Sequence, residues 1–200
     1  MPQTIDYFFA PQSPWTYLGH ARFVAMAQSV AATVHPLPID LGKVFPVSGG
    51  LPLAKRAPQR QAYRLVELKR FSEHLNLPIN IQPQYFPVSS DDAACLIVAV
   101  NMTDGPAAAL LVAGRLMAAV WAQERNIADA AVLSELLNEA GLAWQRLKQS
   151  HSSAVRQAYA ANTQAAIDAG VFGAPTYSIA GEKFWGQDRL DFVERRLRAA

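Results

Sequence analysis

The residue with most to offer chemically is Ser13, in the run Pro11-Gln12-Ser13-Pro14-Trp15-Thr16-Tyr17. A serine followed by proline reads as a helix start, with Ser13 as N-cap and Pro14 at the first helical position. The first turn of a helix leaves backbone N–H groups unpaired, and the aligned peptide dipoles place about half a positive charge there. An anion such as a thiolate is favoured at that point. A second candidate lies far along the chain, in Gly170-Val171-Phe172-Gly173-Ala174-Pro175-Thr176-Tyr177. A proline just before a strand, approached through glycine, is a candidate cis bond, which would hold the N–H and C=O of Ala174 open beside a site. Each feature alone has an ordinary structural explanation, a helix cap and an edge-strand proline; their combination makes the sharper case.

Other chemistries lack their residues. The histidines His20, His35, His74 and His151 have no i, i+4 or paired-ligand spacing, so no metal site is expected. No G-x-G-x-x-G follows the first strand, and there is neither a phosphate-binding G-x-x-x-x-G-K-[ST] loop nor a G-x-S-x-G nucleophile elbow. Cys95 is the single cysteine, which excludes an internal disulfide, a thiolate zinc site and a dithiol redox motif. With 51% hydrophobic and 17% charged residues and a formal net charge of +2, the 200-residue chain reads as an ordinary globular protein. No nucleic-acid partner is expected from that charge balance. The N-terminus has no basic, apolar leader, so a cytoplasmic location is expected. Arg115 interrupts the most apolar stretch, residues 106–122, which therefore reads as a buried helix rather than a membrane span.

The elements that must position these residues follow from patterning. Residues 4–9 are β-branched and aromatic and read as a strand; residues 33–39, marked by Pro36 and Pro38, read as a second strand near a sheet edge. The stretch 41–58 carries Gly42, Pro46, Gly49, Gly50 and Pro52 and is expected to be an irregular surface loop near a site. Residues 59–74 show an amphipathic helical pattern. Of the 35 alanines, 22 fall between Asp91 and Gly170, marking a helical block. Its helices are expected over 91–101, 106–125, 129–140 and 152–169. Residues 176–180 and 183–185 read as a hairpin turning at Gly181, followed by a last helix capped by Asp188. The order is β-α-β, helical block, β-β-α. An α/β thioredoxin-like fold with an all-helical insertion matches it, with a discontinuous domain over 1–45 and 171–200 and the insertion over 46–170. A generic α/β domain carrying a helical hairpin produces nearly the same order.

The order S-P-W-T, then a helical insert, then G-V-F-G-A-P-T-Y and W-G-Q-D-R-L resembles the 2-hydroxychromene-2-carboxylate isomerases and the kappa-class glutathione transferases. These belong to the DsbA-like branch of the thioredoxin superfamily. The resemblance covers essentially the whole chain. Ser13 and Thr16 stand where DsbA-type oxidoreductases carry the two cysteines of C-x-x-C. The resemblance implies that the thiol comes from glutathione, with Ser13 as the catalytic serine donating a hydrogen bond to its sulfur. It further implies that the backbone of Ala174 pairs with the cysteinyl part, and that Trp185, Gly186, Gln187 and Asp188 receive the γ-glutamyl end. Arg60 is expected to meet the glycyl carboxylate or the substrate. Lys43 and Tyr85 are expected to border the pocket of an aromatic carboxylate substrate. Gly49-Gly50-Leu51-Pro52 departs from the family's Gly-Asn pair before proline, which removes one side-chain amide and leaves the substrate's identity open.

The activity so implied is glutathione-dependent isomerisation of 2-hydroxychromene-2-carboxylate, or a similar compound, to a trans-benzylidenepyruvate. Two alternatives remain: a kappa-like transferase that conjugates electrophiles, and a non-catalytic glutathione- or peptide-binding module. A homodimer fits the family.

Overall fold

The computed structural model describes residues 3–199. Its centre is a four-stranded mixed sheet in the order β2-β1-β3-β4. Strand β1 (Thr4–Phe9) pairs in parallel with β2 (Thr33–Pro38), from Thr4↔Thr33 to Phe9↔Pro38. On its other side β1 runs antiparallel to β3 (Thr176–Ile179), with Tyr7 opposite Tyr177. Strand β4 (Glu182–Trp185) folds back on β3 through Ala180 and Gly181, both at positive φ (49° and 83°), the backbone of a tight two-residue hairpin. Pro36 and Pro38 occupy an edge strand, where a missing N–H costs least.

Helix α1 (Pro14–Ser29) connects the parallel strands β1 and β2. Between β2 and β3 come α2 (Leu41–Ser48), α3 (Pro58–Leu75), α4 (Asp91–Asp104), α5 (Pro106–Trp121), α6 (Ala130–Glu139), α7 (Gln145–Ser150) and α8 (Ser153–Asp168). Helix α9 (Leu190–Arg198) closes the chain. This is the sheet with a helical insertion that the element order implies. Helices α4 and α5 are apolar nearly all round because they lie inside: Ala93 through Val100 are buried without a break, and α5 packs against α1 and β2. One cluster of buried apolar side chains joins the sheet (Ile5, Tyr7, Phe9, Tyr177) to the insertion (Leu96, Leu116, Trp121, Leu136). Each such side chain contributes roughly 1.5–3 kcal/mol by leaving water. No described helix is long and apolar enough to cross a membrane.

Two expectations are corrected. Residues 41–48 are not an irregular loop but helix α2, capped by Asp40, whose carboxylate accepts from Gly42 N–H at 2.7 Å. Pro46 removes one helical hydrogen bond, yet the turn holds because Val44 is fully buried with Phe8, Ile39, Ala166 and Val171. Asp188 does not cap the last helix: it sits in a 3₁₀ turn, Gln187–Arg189, ahead of α9, and its carboxylate pairs with Arg189 at 2.6 Å. The stretch 142–151, for which no helix is expected from patterning, carries α7.

Candidate active site

Ser13 is the N-cap of α1, in extended backbone (φ −79°, ψ 124°), with its Oγ accepting from Thr16 N–H at 3.3 Å. Accepting uses a lone pair, so the hydroxyl proton stays free to donate. No acidic side chain lies in the first turn of α1 to cancel the positive end of its dipole. Thr16 is fully buried with an unpartnered Oγ1, behind the cap rather than beside it. Of the two positions that would carry a dithiol, only Ser13 opens to a cavity.

The second feature meets the first. The Ala174–Pro175 peptide is cis, and no loop or turn backbone hydrogen bond among the described residues uses the N–H or C=O of Ala174. Pro175 C=O accepts from Gly186 N–H at 2.9 Å, which draws the segment from Trp185 to Asp188 alongside. Gly186 has φ 108°, a region an L side chain rarely adopts. A Cβ on Gly19 would stand 2.8 Å from Gln187 Cβ and 3.1 Å from Tyr177 Oη, so glycine lets α1 approach this segment closely. Arg22, one turn further along α1, donates to Gln187 through both its backbone carbonyl (3.1 Å) and its side-chain Oε1, pinning the segment from behind.

Helix α3 supplies the opposite wall. Two adjoining cavities of about 500 and 490 Å³ share Trp15, Arg56, Arg60, Arg64, Ala174 and Trp185. Tyr63, Phe71, Gly186, Gln187 and Asp188 extend the first; Ser13, Phe45, Leu51, Phe86 and Phe172 extend the second. None of the ion pairs among the described residues includes Arg56, Arg60 or Arg64. Glu67, the acidic residue on the same wall, is engaged by Arg70. The cavity wall is therefore electropositive on its α3 side, which adds to the helix terminus in favouring an anionic sulfur.

Seven of the nine residues singled out from sequence, Ser13, Arg60, Ala174, Trp185, Gly186, Gln187 and Asp188, come together around these two cavities. The Gln187 side chain itself is 2% exposed and turned to Arg22, so its amide holds the segment in place. Lys43 and Tyr85 are not brought in. Winding residues 41–48 into a helix puts Phe45 on the second cavity and Lys43 on a third one, where it faces Asp40 at 3.9 Å. Tyr85 lines none of these three cavities, whereas Phe86, Pro87 and Val88, which contain a further cis peptide at Phe86–Pro87, line the second. Leu51 lines the second cavity and is 47% exposed.

Sequence reasoning passed over Arg56 and Arg64. Arg64, one turn beyond Arg60 on α3, was a usable signal for a common helix face, whereas Arg56 lies before the helix, in extended backbone after the short 3₁₀ turn Leu53–Lys55. Cys95 stands apart on the third cavity, 8% exposed, and burial raises its thiol above the usual value, so it is no nucleophile for the Ser13 site. Among the described residues no group of three or more His, Cys, Asp or Glu side chains could hold a metal ion.

A family model of the DSBA-like thioredoxin domain matches residues 4–198. A 2-hydroxychromene-2-carboxylate isomerase of Pseudomonas putida is 28% identical over 197 residues, spanning 96% of this chain and 93% of the relative. The solved structure of a 2-hydroxychromene-2-carboxylate isomerase superposes with a TM-score of 0.84 at 24% identity, covering 98% of this chain and 95% of that one. The cytosolic disulfide reductase DsbM from Pseudomonas aeruginosa, solved with GSH, shares the fold at a TM-score of 0.69 and 20% identity, covering 98% and 99%. The parallel β1-α1-β2 unit with its capped helix, the long helical insertion and the cis-proline strand occur along nearly the whole matched length, and the chain belongs to the DSBA-like thioredoxin domain family.

Proposed function

We propose that the protein is a glutathione-dependent isomerase acting on 2-hydroxychromene-2-carboxylate or a closely similar aromatic acid. The observation that carries the reading is the Ser13 junction: a serine hydroxyl with a free proton, at an uncompensated helix N-terminus, beside a cis-proline backbone and away from the single protein thiol. A site built to hold a thiolate, without a thiolate of its own, fits a thiol that arrives from solution. The relatives' names supply the substrate class.

The residues present fit glutathione. The unused N–H and C=O of Ala174 suit a peptide running alongside, and Asp188 on the first cavity offers a carboxylate to an ammonium. Arg60, on the wall shared by both cavities, offers a cation to a carboxylate. When bound, glutathione supplies a thiol whose reversible addition turns a conjugated double bond into a rotatable single bond. Ser13 donates a hydrogen bond to the sulfur, and the α1 terminus with Arg56, Arg60 and Arg64 lowers the thiol's ordinary pKa of about 8.5 toward neutrality. Trp15, Phe45 and Phe86 form apolar walls on which an aromatic acid can lie.

The test is a spectrophotometric isomerisation assay with and without glutathione, with total free thiol measured at the end. Isomerised substrate and unchanged thiol support the proposal. Stoichiometric thioether shows a transferase, and turnover unaffected by glutathione overturns the cofactor.

A further inference from the structure

Arg64 is an anomaly among the cations of this chain. It is 8% exposed, yet no carboxylate pairs with it, and its Nη2 is sealed from solvent with no hydrogen-bond partner among the described residues. Buried charges are ordinarily paired or neutralised, because a guanidinium taken from water loses strong hydration. Neutralisation is not available: burial and the neighbouring Arg56 charge pull its pKa only down to about 10, so it stays charged at neutral pH. Its neighbours are aromatic faces. Cζ lies 5.1 Å from the Phe86 ring centroid and 5.6 Å from that of Trp121, which eases the charge but accepts no planar, two-pronged hydrogen bond. Arg64 also belongs to the wall that the two cavities share.

We propose that Arg64 is the carboxylate-binding residue of this site, its guanidinium taking, on the side that faces the cavities, the carboxylate of a bound ligand whose flat carbon skeleton lies along Phe86. The inference rests on the isomerase reading for the ligand's identity but not for the chemistry, since an unpaired buried guanidinium between aromatic rings and an open cavity calls for a planar anion in any case. Two carboxylates could supply it, that of the aromatic acid and the glycyl carboxylate of glutathione. The aromatic lining favours the first.

The experiment compares each acid with its neutral amide, by quenching of tryptophan fluorescence and by calorimetry. One pair is trans-cinnamate and trans-cinnamamide, titrated with and without saturating glutathione. The other is glutathione and its glycine amide. Wild type should prefer the acid of at least one pair by about tenfold or more, the scale of a charge-assisted hydrogen bond. Arg64→Met, which keeps the apolar stem between the rings, should abolish that preference, and Arg64→Lys should restore part of it because an ammonium lacks the fork. Loss confined to the cinnamate pair assigns the residue to the aromatic acid; loss confined to the glutathione pair assigns it to the tripeptide. The proposal is overturned if wild type prefers neither acid to its amide, or if Arg64→Met keeps the wild-type preference. Thermal melts of the unliganded variants check that they fold. Because binding is read directly, absence of isomerase activity would defeat the functional reading without touching this one.

Discussion

The cavity wall and the core behind it each bury one basic side chain, and they treat it in opposite ways. His20, on the inner face of α1, is 6% exposed and fully satisfied: its Nε2–H donates to Leu110 C=O at 2.9 Å, and Tyr7 O–H donates to its Nδ1 at 3.2 Å. That pairing needs the neutral ring, a tautomer assigned from the bonding pattern. Burial correspondingly lowers its pKa to about 4. Arg64, on α3, is as deeply buried but keeps its charge and lacks a partner. His20 is paired inside the core in its neutral form, whereas Arg64, on the wall of two cavities, is left charged and unpaired.

The largest effect that sharpens this contrast is expected at Ser13. Ser13→Ala should cut turnover about a hundredfold, the scale of losing one hydrogen bond to a developing or stored anion. Its stability should fall by only about 1 kcal/mol, the worth of a cap. Ser152, the N-cap of α8, accepts from Val155 N–H at the same 3.3 Å and is a matched control. Ser152→Ala should lose similar stability and keep full turnover; equal turnover losses in the two variants would reduce Ser13 to a cap.

Next comes the core. The unfolded chain protonates His20 near pH 6.5 and the folded protein only near 4, so between those values the unfolded state binds more protons. Stability should be complete above about pH 6.5 and fall as pH drops toward 4, by about 3 kcal/mol in denaturant titrations. In His20→Gln the pH slope over that window should shrink by that amount. An unchanged slope would place the acid sensitivity elsewhere.

Arg64→Met should behave in the reverse sense: without ligand it should unfold at equal or higher denaturant concentration than wild type, by up to about 1 kcal/mol, because an unpaired buried charge is gone. A large destabilisation would make Arg64 a structural clamp between Phe86 and Trp121 instead. The smallest effect is expected at Gly50, where an added Cβ would collide with the Phe45 ring. Gly50→Ala should cost about 1 kcal/mol and weaken ligands of the second cavity through displacement of that ring, measured by melting and by calorimetry.

What could be read from the sequence were features with short-range causes. The Ser13-Pro14 cap, the edge prolines of β2, the Gly181 hairpin and the alanine-rich helical block are properties of local backbone chemistry, and the structure has them where expected. Helix α2 was missed because Gly42 and Pro46 argue against a helix locally, and only burial of Val44 outweighs them. Lys43 and Tyr85 were placed near the pocket because loops beside a site all look equally close in sequence; one turn of helix sends Lys43 to the far side.

The sequence by itself determined the strands, most of the helices between them and the lack of a dithiol, since these depend on residue type and near neighbours; that Ser13 stands at the dithiol's place is what the family resemblance implies. Tertiary structure alone decided which charges matter. Arg56, Arg60 and Arg64 repeat every four residues and are indistinguishable as letters. Arg64 becomes the buried, unpaired one only because Phe86 and Trp121, 22 and 57 residues further on, close over it. Desolvation is a property of what packs on a side chain, and the chain folds the packing from elsewhere.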